Sequence, residues 1–574
     1  MRLSAKSRRV LLVGVLGAAL LAGVVGHARG GEAVVVGHAS TANVKALFDK
    51  LTKLAEKFVP GAGGIVEGWN AMLLQAPEWV GVDWSKPANV VLFSGKAFGK
   101  TQPVPVVIVA LADGALFRQA LPAKDARIGF EVRGDVAIVS PEKAALAAIT
   151  PERFKLYSGF PKVAGAADLY VTLYTTQAMA EYQAEVDGAL KQLDGQFGEM
   201  FMVGPMAGFG KVLKCLGPLV GLAGTQVRRV SLSVELKDDA LELWGRLSAG
   251  EDTELGTFLS GQPTEMTDLV KYLPADAVMG LGAKLDMAKG KPLVDAIVKA
   301  LAGPLELSAA DQQKIRDLVF NSTQTGEAAA ALAGGQKHPG IQSIQVLRVA
   351  DAAKYRAASK DGIEWLMKSG LGNFMEAAGV KVNVEHKPNA REYQGIAVDR
   401  LTVSAAPAPG AEPNPLMGQR PPQVTEYAAA ATLAAAATGD PGGSLLNDIL
   451  DRIKGAGTPG LNTAAAWKTA SAAAPQGASL VAYISFNGIL VKAVEEMDKQ
   501  QPGVALLAGM FIKPDLTEEP ITTHATFGNN MVEFRTRVPH QPILGLVTRV
   551  RKMVEMQGRP GRRPGPKPKE EDDF

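Results

Sequence analysis

The sequence predicts an α+β fold made of tandem units, each an antiparallel sheet with helices packed on one face. Three short apolar strands begin alike at Ala167, Ala275 and Ala478, and each is followed by a helical stretch. A strand–turn–strand pattern at 236–247 recurs at 527–538. Strands joined by short turns pair antiparallel, and alternation of apolar and polar residues leaves one face for helices. Such repetition indicates tandem structural units.

Chain length and composition are those of a protein with several cores. The chain has 574 residues, of which 47% are hydrophobic and 21% charged, so it can bury sizeable cores. Its 61 basic and 58 acidic residues nearly balance, and we expect no nucleic-acid partner, which would require a concentrated basic surface. Cys215 is the only cysteine, which excludes an intramolecular disulfide. Its apolar neighbours predict a buried, unreactive thiol.

The first 28 residues have the pattern of an export signal. Four basic residues are followed by an uncharged apolar run at 10–26 and by small residues that favour cleavage after Ala28. We therefore expect an exported protein in the periplasm or another extracytoplasmic space. An uncleaved anchor at 10–26 is the alternative, although a comfortable membrane span needs ~20 apolar residues. We expect no later crossing, so membrane contact would involve only this segment or the basic tail.

The rest of the chain divides into four predicted α+β units and two connecting or terminal segments. The units are 32–160, 161–265, 266–405 and 425–556. A linker rich in Pro, Ala and Gly occupies 406–424, and the fourth unit begins with an Ala-rich helix at 428–437. The tail at 557–574 combines prolines with segregated charges, which predicts disorder.

The first unit begins with a strand at 33–36 and a helix from Asn43 to Phe58. The helix has an apolar stripe with helical spacing, formed by Leu47, Leu51, Leu54 and Phe58. Strands follow at 104–111 and 128–139, and Gly134-Asp135 marks a turn within the second. In the third unit, strands are predicted at 275–281, 344–349, 380–385 and 396–403, with helices at 292–301 and through Trp365.

The second and fourth units share a hairpin and the helix after it. Their turns fall at Asp238-Asp239 and Asn529-Asn530, residue types that tolerate the positive φ of tight hairpin turns. The flanking strands alternate apolar and polar residues, apart from an expected irregularity at Gly245. The helices that precede each hairpin are predicted at 179–193 and 489–499, and those that follow at 253–259 and 542–556.

Patterns for catalysis are weak. Ser140 and Lys143 match the Ser-x-x-Lys pattern of penicillin-binding proteins, but a helix cap explains them better, with Pro141 at the first helical position. Thr150-Pro151-Glu152 repeats that arrangement. The glycine-rich stretch at 204–211 lacks the spacing of a phosphate-binding loop. We therefore expect no catalytic residue, and a hydrolase site assembled from distant residues is the least favoured interpretation.

Metal and cofactor sites are not predicted. The histidines outside the signal do not share the i, i+3 or i, i+4 spacing that places two ligands on one helical face. Carboxylate pairs such as Asp238-Asp239 and Glu518-Glu519 fall at expected turns, where solvation explains them. We expect neither a metal ion nor a cofactor.

One short motif resembles a known domain family. Tyr272-Leu273-Pro274-Ala275-Asp276-Ala277, followed by a strand and a helix, is similar to the opening of the DUF3352-like group. These are large exported proteins of planctomycete-like bacteria. Looser echoes occur at Ala167 and Ala478. The resemblance implies a location in the cell envelope and carries no known activity, so it assigns no functional residue.

These observations favour an exported, non-enzymatic cell-envelope protein that acts as a binding or scaffolding module. Repeated units suit extended contact surfaces, and the partner would be another envelope protein or lipid. The alternative is a periplasmic carrier of lipid or another apolar ligand. It rests on the apolar stretch 197–220, where Met202, Met206 and Phe209 are the candidate ligand-binding residues, because methionine-rich surfaces adapt to varied ligands.

Overall fold

The computed structural model describes residues 33–74, 79–120, 128–161, 167–201, 207–320, 324–333, 341–368, 380–407, 422–500 and 518–557. Within these residues the chain forms 15 helices and one antiparallel sheet of 18 strands. The α+β class is therefore confirmed. The predicted export signal and the C-terminal tail from 558 onward lie outside the described residues.

The strands are β1 (Val35–Thr41), β2 (Ala88–Phe93), β3 (Val104–Ala110), β4 (Gly129–Arg133), β5 (Val136–Ser140), β6 (Leu169–Leu173), β7 (Val227–Leu236), β8 (Ala240–Ala249), β9 (Met279–Lys284), β10 (Gln324–Leu332), β11 (Ser343–Val349), β12 (Val380–Tyr393), β13 (Ile396–Pro407), β14 (Gln423–Ala430), β15 (Leu433–Thr438), β16 (Ala478–Ile484), β17 (Ile521–Gly528) and β18 (Met531–Pro539).

The helices are α1 (Val44–Phe58), α2 (Gly63–Leu74), α3 (Gly114–Ala120), α4 (Lys143–Leu146), α5 (Pro151–Tyr157), α6 (Thr175–Phe201), α7 (Ala207–Gln226), α8 (Glu254–Ser260), α9 (Lys291–Ala302), α10 (Ala309–Phe320), α11 (Ala352–Lys368), α12 (Ser444–Ile453), α13 (Ala465–Ala472), α14 (Phe486–Gln500) and α15 (His540–Gln557). Short 3₁₀ turns lie at Gly95–Phe98, Leu269–Tyr272, Met287–Gly290 and Leu461–Thr463.

The strand pairs form one continuous ladder. Its order is β4-β5-β3-β2-β1-β6-β7-β8-β18-β17-β16-β9-β10-β11-β15-β14-β13-β12, and every pair is antiparallel. The pair β8–β18 lies in the middle. Outward from it, each side shows the same succession: a hairpin, one strand that is followed in the chain by a long helix, then five more strands. The hairpin β12–β13 extends the C-terminal side alone.

Helices pack on both faces of the sheet, and the prediction of a single covered face is wrong. Val91 and Phe93 of β2 pack against α4 and α5, while Val90 and Leu92, which point the opposite way, pack near Tyr182 of α6. Every residue of β2 is buried. A strand without a solvent-facing side needs cover from two directions, as in sheets enclosed between layers of helices.

The first helix begins where the sequence predicts, with a different buried face. Asn43 caps α1, and its side-chain oxygen accepts a hydrogen bond from the Ala46 amide at 2.8 Å. The buried residues are Val44 and Phe48, whereas the predicted stripe that begins with Leu47 is only partly buried. The helix is therefore turned by about one residue from the orientation that its stripe suggests.

The predicted helix at 428–437 is wrong, because this segment forms the hairpin β14–β15. Its alanines pair on the other side with β11 and β13, and Ala434 to Ala437 are nearly fully buried. Alanine favours helices in isolation, but pairing and packing override that preference here. The small side chains allow α12, whose Leu445 and Leu446 are fully buried, to pack in the same core.

The two matched hairpins form as predicted, with differences in detail. Asn529 and Asn530 have φ of 49° and 59°, as a tight hairpin turn requires, whereas Asp238 and Asp239 are not among the residues with positive φ. The irregularity expected at Gly245 is absent from the described strands: the registers of β7–β8 and β8–β18 run through it without a shift. Strand β9 begins at Met279, four residues after the predicted start.

Candidate apolar binding surface

The five central strands β6, β7, β8, β18 and β17 have different chemistry on their two faces. One face is polar: Arg246 forms an ion pair with Glu533, and the Arg535 guanidinium lies 5.6 Å from the ring centroid of Trp244. On the opposite face, the strand registers bring together apolar side chains, two threonines and one glycine. We define this set as the central apolar surface. It consists of Leu169, Val171, Leu173, Val230, Leu232, Val234, Leu236, Leu241, Leu243, Gly245, Leu247, Val532, Phe534, Thr536, Val538, Ile521, Thr523, Ala525 and Phe527.

The middle of the central apolar surface is open. Val230, Leu232 and Phe534 are each 41% exposed, and Ile484 of the nearby strand β16 is 37% exposed. Large apolar side chains in central strands of a sheet are normally covered by another layer. Contiguous exposed apolar surface on a folded protein marks sites for ligands, membranes or protein partners.

Gly245 forms a gap in the middle of this surface. It pairs with Leu232 on one side and with Phe534 on the other, so the two large side chains lie two strand spacings apart, ~10 Å. A Cβ atom added at Gly245 would meet only Phe534, at 3.9 Å from its Cβ, which is an ordinary contact distance. The position therefore has room for a side chain and is not a tightly packed glycine site.

Among the described residues, helices border the surface and leave large side chains in its middle exposed. Leu259 of α8 packs with Ala525 and Val532 at one end, where those residues are buried. On the N-terminal side, α6 and α7 contact β7, and Tyr182 of α6 packs against the strand next to β6. The described helices therefore lie beside the sheet floor, at the borders of the central apolar surface.

The polar face of the same strands is held together by ion pairs. Glu242 is 2% exposed and accepts hydrogen bonds from Lys237 at 2.8 Å, Arg535 at 3.1 Å and Arg537 at 3.2 Å. Burial alone would raise the pKa of this carboxyl, but the bonds from Lys237 and Arg535 outweigh it and lower the pKa. Because these charges pair with one another across β8 and β18, they stabilise the sheet junction.

A cluster of polar side chains lies on β1 and β2, on the side of the sheet that continues the polar face. His38 Nε2 is 3.3 Å from Asn89 Oδ1, and the Ser40 hydroxyl donates to that oxygen at 2.5 Å. The rings of Tyr157 and Tyr170 lie 4.9 and 6.2 Å from the His38 ring. Burial lowers the pKa of His38 from 6.5 to about 4, the hydrogen bond to Asn89 offsetting part of the effect. The cluster is enclosed and makes His38 a neutral core residue.

None of the three candidate ligand-binding residues named from the sequence has a described side chain. Met202 and Met206 lie outside the described residues. Phe209 belongs to the first turn of α7, and its side chain is outside the described part. The central apolar surface is the site that sequence reasoning missed. Its signal is the alternation in β8 and β18, which shows one apolar side but not whether a helix covers it.

Residues considered for catalysis have structural roles. Ser140 is fully buried at the end of β5, where its hydroxyl donates to the Pro105 carbonyl at 3.0 Å and accepts from the Glu142 amide at 3.1 Å. Helix α4 begins at Lys143, so Pro141 does not occupy the first helical position. Thr150 does cap α5, with Pro151 following as predicted. Cys215 is partly buried in α7, and burial raises the pKa of its thiol.

The described residues hold neither a metal-binding cluster nor a membrane-spanning helix. No group of three or more His, Cys, Asp or Glu side chains within them could hold a metal ion. None of the helices in the described ranges has both the length and the apolar character needed to cross a membrane.

Comparisons with known proteins give no relative. No model of a known protein family matches the chain, and neither a curated protein nor a solved structure matches it.

Proposed function

We propose that this is an exported, non-enzymatic binding protein of the cell envelope, and that its central apolar surface holds an apolar ligand. One observation carries the proposal: Val230, Leu232 and Phe534 remain 41% exposed in the middle of an 18-stranded sheet. Exposing such side chains to water opposes folding by about 25 cal/mol for each Å² of apolar area. A ligand that covers them would remove that cost.

The proposal includes a division of the repeated units into two halves. Support comes from main-chain hydrogen bonds that recur at matching positions. The amides of Ala249 and His540 donate to the carbonyls of Asn530 and Asp239, both at 2.8 Å, across the central pair β8–β18. The amides that follow β6 and β16 donate in the same way, Tyr174 to Val36 at 3.0 Å and Ser485 to Val278 at 2.8 Å. In this proposal, units 1 and 2 form one half and units 3 and 4 the other.

The two halves would then place the ligand at their junction. The central apolar surface takes β6, β7 and β8 from one half and β17 and β18 from the other. Sites between repeated halves are common for ligands because each half supplies one wall. Scaffolding by the outer strands remains the competing function, and the experiment below separates the two.

The experiment combines an extract with a blocked variant. Protein comprising residues 29–574 is purified from cells that export it, and an organic extract is analysed by mass spectrometry. The extracted protein is then titrated with diphenylhexatriene, a hydrocarbon dye that fluoresces in apolar surroundings. Gly245→Val should weaken dye binding at least tenfold, because its side chain fills the gap between Leu232 and Phe534.

A matched control distinguishes a blocked binding surface from a damaged fold. Thr526→Val introduces the same side chain into β17 on the polar face, and it should leave dye binding unchanged. Gly245→Val should fold at least as well as the wild type, since valine suits a strand better than glycine. A folded wild-type protein that yields no apolar compound and binds no dye would favour the scaffolding function instead.

A further inference from the structure

Two neighbouring hydroxyl groups interrupt the central apolar surface. Thr523 and Thr536 face each other directly on β17 and β18, and their Oγ1 atoms are 3.1 Å apart. Both side chains are partly buried. All the other residues that define the surface are apolar or glycine, and none carries a charge. The pair is one ladder step along β18 from Phe534, ~7 Å, and therefore borders the open middle of the surface.

The hydroxyl pair has hydrogen-bonding capacity beyond its internal bond. Each threonine hydroxyl has one proton to donate and two lone pairs to accept. The bond between Thr523 and Thr536 uses one proton and one lone pair. One donor and several acceptor positions are left for a third group. An ester carbonyl can accept the remaining proton, and an alcohol can accept that proton and also donate its own to a free lone pair.

The opposite half of the sheet shows that this location does not require hydroxyl groups. The match that aligns Asp238-Asp239 with Asn529-Asn530 places Leu232 at the position of Thr523 and Gly245 at that of Thr536. Leu232 and Gly245 also face each other directly, on β7 and β8. The sheet therefore accepts an apolar pair at the equivalent place. A second cross-strand threonine pair lies outside the central apolar surface, at Thr425 and Thr438, with 3.0 Å between the hydroxyl oxygens.

The lack of charged residues in the set that defines the surface limits which ligands can contact the hydroxyl pair. A carboxylate or phosphate moved onto this surface would lose its water, and none of the residues that define the surface offers it a cationic partner. An uncharged polar group loses less solvation and recovers it in hydrogen bonds to the two hydroxyls. Uncharged amphiphiles therefore complement both the apolar floor and its single polar point.

We infer that the ligand of the central apolar surface is an uncharged acyl amphiphile whose ester or alcohol oxygen is bound by Thr523 and Thr536. This inference rests on the proposed function. The acyl chain lies over Gly245 between Leu232 and Phe534, where the floor is apolar and open. The oxygen-bearing end lies at the threonine pair. Hydrocarbon contact supplies the affinity, and the hydroxyl pair selects the chemical class and the orientation of the ligand.

The test uses the double variant Thr523→Val/Thr536→Val. Valine has nearly the shape of threonine without its hydroxyl group, so the fold is checked by far-UV circular dichroism and urea unfolding. Monoolein, an uncharged ester, and oleate, its anionic counterpart, are titrated as competitors of diphenylhexatriene. The double variant should lower the affinity for monoolein, measured relative to the affinity for the oxygen-free dye, at least fivefold from its value in the wild type. Thr425→Val/Thr438→Val is the matched control and should change neither affinity.

The titrations separate failure of the hydroxyl pair from failure of the apolar surface as a ligand site. Unchanged monoolein affinity in the folded Thr523/Thr536 double variant would overturn the role of the hydroxyl pair while dye binding still supported the proposed function. Oleate binding as tight as monoolein to the wild type would overturn the selection of uncharged ligands. Failure of the wild type to bind either the dye or monoolein would reject the central apolar surface as a ligand site, and the inference with it.

Discussion

Acid should destabilise the fold through His38, and the size of the effect follows from its surroundings. His38 is 3% exposed, and burial lowers the pKa of its imidazole from 6.5 to about 4. The folded protein therefore holds His38 neutral, whereas the unfolded chain binds a proton below pH 6.5. The stability from neutral His38 is fully present above pH 6.5 and is lost as the pH falls towards 4.

The two pKa values set the magnitude. As the pH falls from about 7.5 to about 5, protonation of His38 in the unfolded chain lowers the free energy of unfolding by about 2 kcal/mol. The assay is urea unfolding at a series of pH values, followed by circular dichroism, for the wild type and His38→Gln. The glutamine amide can still donate to Asn89 and does not titrate. Burial also lowers the pKa of His524 and His540, so both proteins should lose stability in acid.

The difference between the two proteins isolates His38. The wild type should lose about 2 kcal/mol more than His38→Gln over this range. Equal losses would refute the reasoning, because they would mean that His38 binds a proton as easily in the folded protein as in the unfolded chain. The comparison needs no assumption about the carboxylates, which are the same in both proteins.

Two further substitutions test the described packing, and both are measured by urea unfolding. Glu426 has a 1% exposed side chain that accepts hydrogen bonds from Arg391 and Arg400, and these outweigh burial in lowering its pKa. Glu426→Gln should lower the free energy of unfolding by ~3 kcal/mol, because two guanidinium groups lose their counter-ion. The control Glu385→Gln, whose side chain is 61% exposed, should lower it by less than ~1 kcal/mol. Gly280→Ala should cost ~1–3 kcal/mol, since its Cβ would lie 2.6 Å from a ring carbon of Tyr483. An unfolding midpoint equal to that of the wild type in Glu426→Gln or Gly280→Ala would contradict the packing on which it depends.

Local features were predictable where neighbouring residues decide them. Asn43 caps α1 through a hydrogen bond to an amide three residues away, and Thr150-Pro151 begins α5 by the same rule. The turn at Asn529-Asn530 depends on the ability of asparagine to adopt positive φ. Such preferences act within one turn of chain, and the sequence shows all the groups that take part.

The Ala-rich segment 428–437 shows where local reasoning stops. Its alanines favour a helix when only their neighbours are considered. In the fold they pair with β11 and β13 and lie beneath the leucines of α12. The hydrogen bonds and buried area that these distant strands supply outweigh the intrinsic preference of the segment. No residue within 428–437 reports that those partners exist.

The candidate site has the same dependence on distant partners. The apolar side of β8 is visible in the alternation of its residues, and so is that of β18. Whether those sides form one surface depends on the pairing of β8 with β18, in which Glu242 and Arg537 are 295 residues apart in the chain. Whether the surface is open depends on the helices, which cover its ends and leave Leu232 and Phe534 exposed.

The sequence by itself determined the α+β class, the cap at Thr150, the two matched hairpins and the balance of charge, since these follow from composition and from contacts within a few residues. Only the tertiary structure decided the order of the 18 strands, the helix layers on both faces and the exposure of the central apolar surface. The physical reason is the distance along the chain between the residues that interact. Strand pairing and burial are interactions between residues far apart in the chain, and a side chain's preference for an apolar environment does not specify what will cover it.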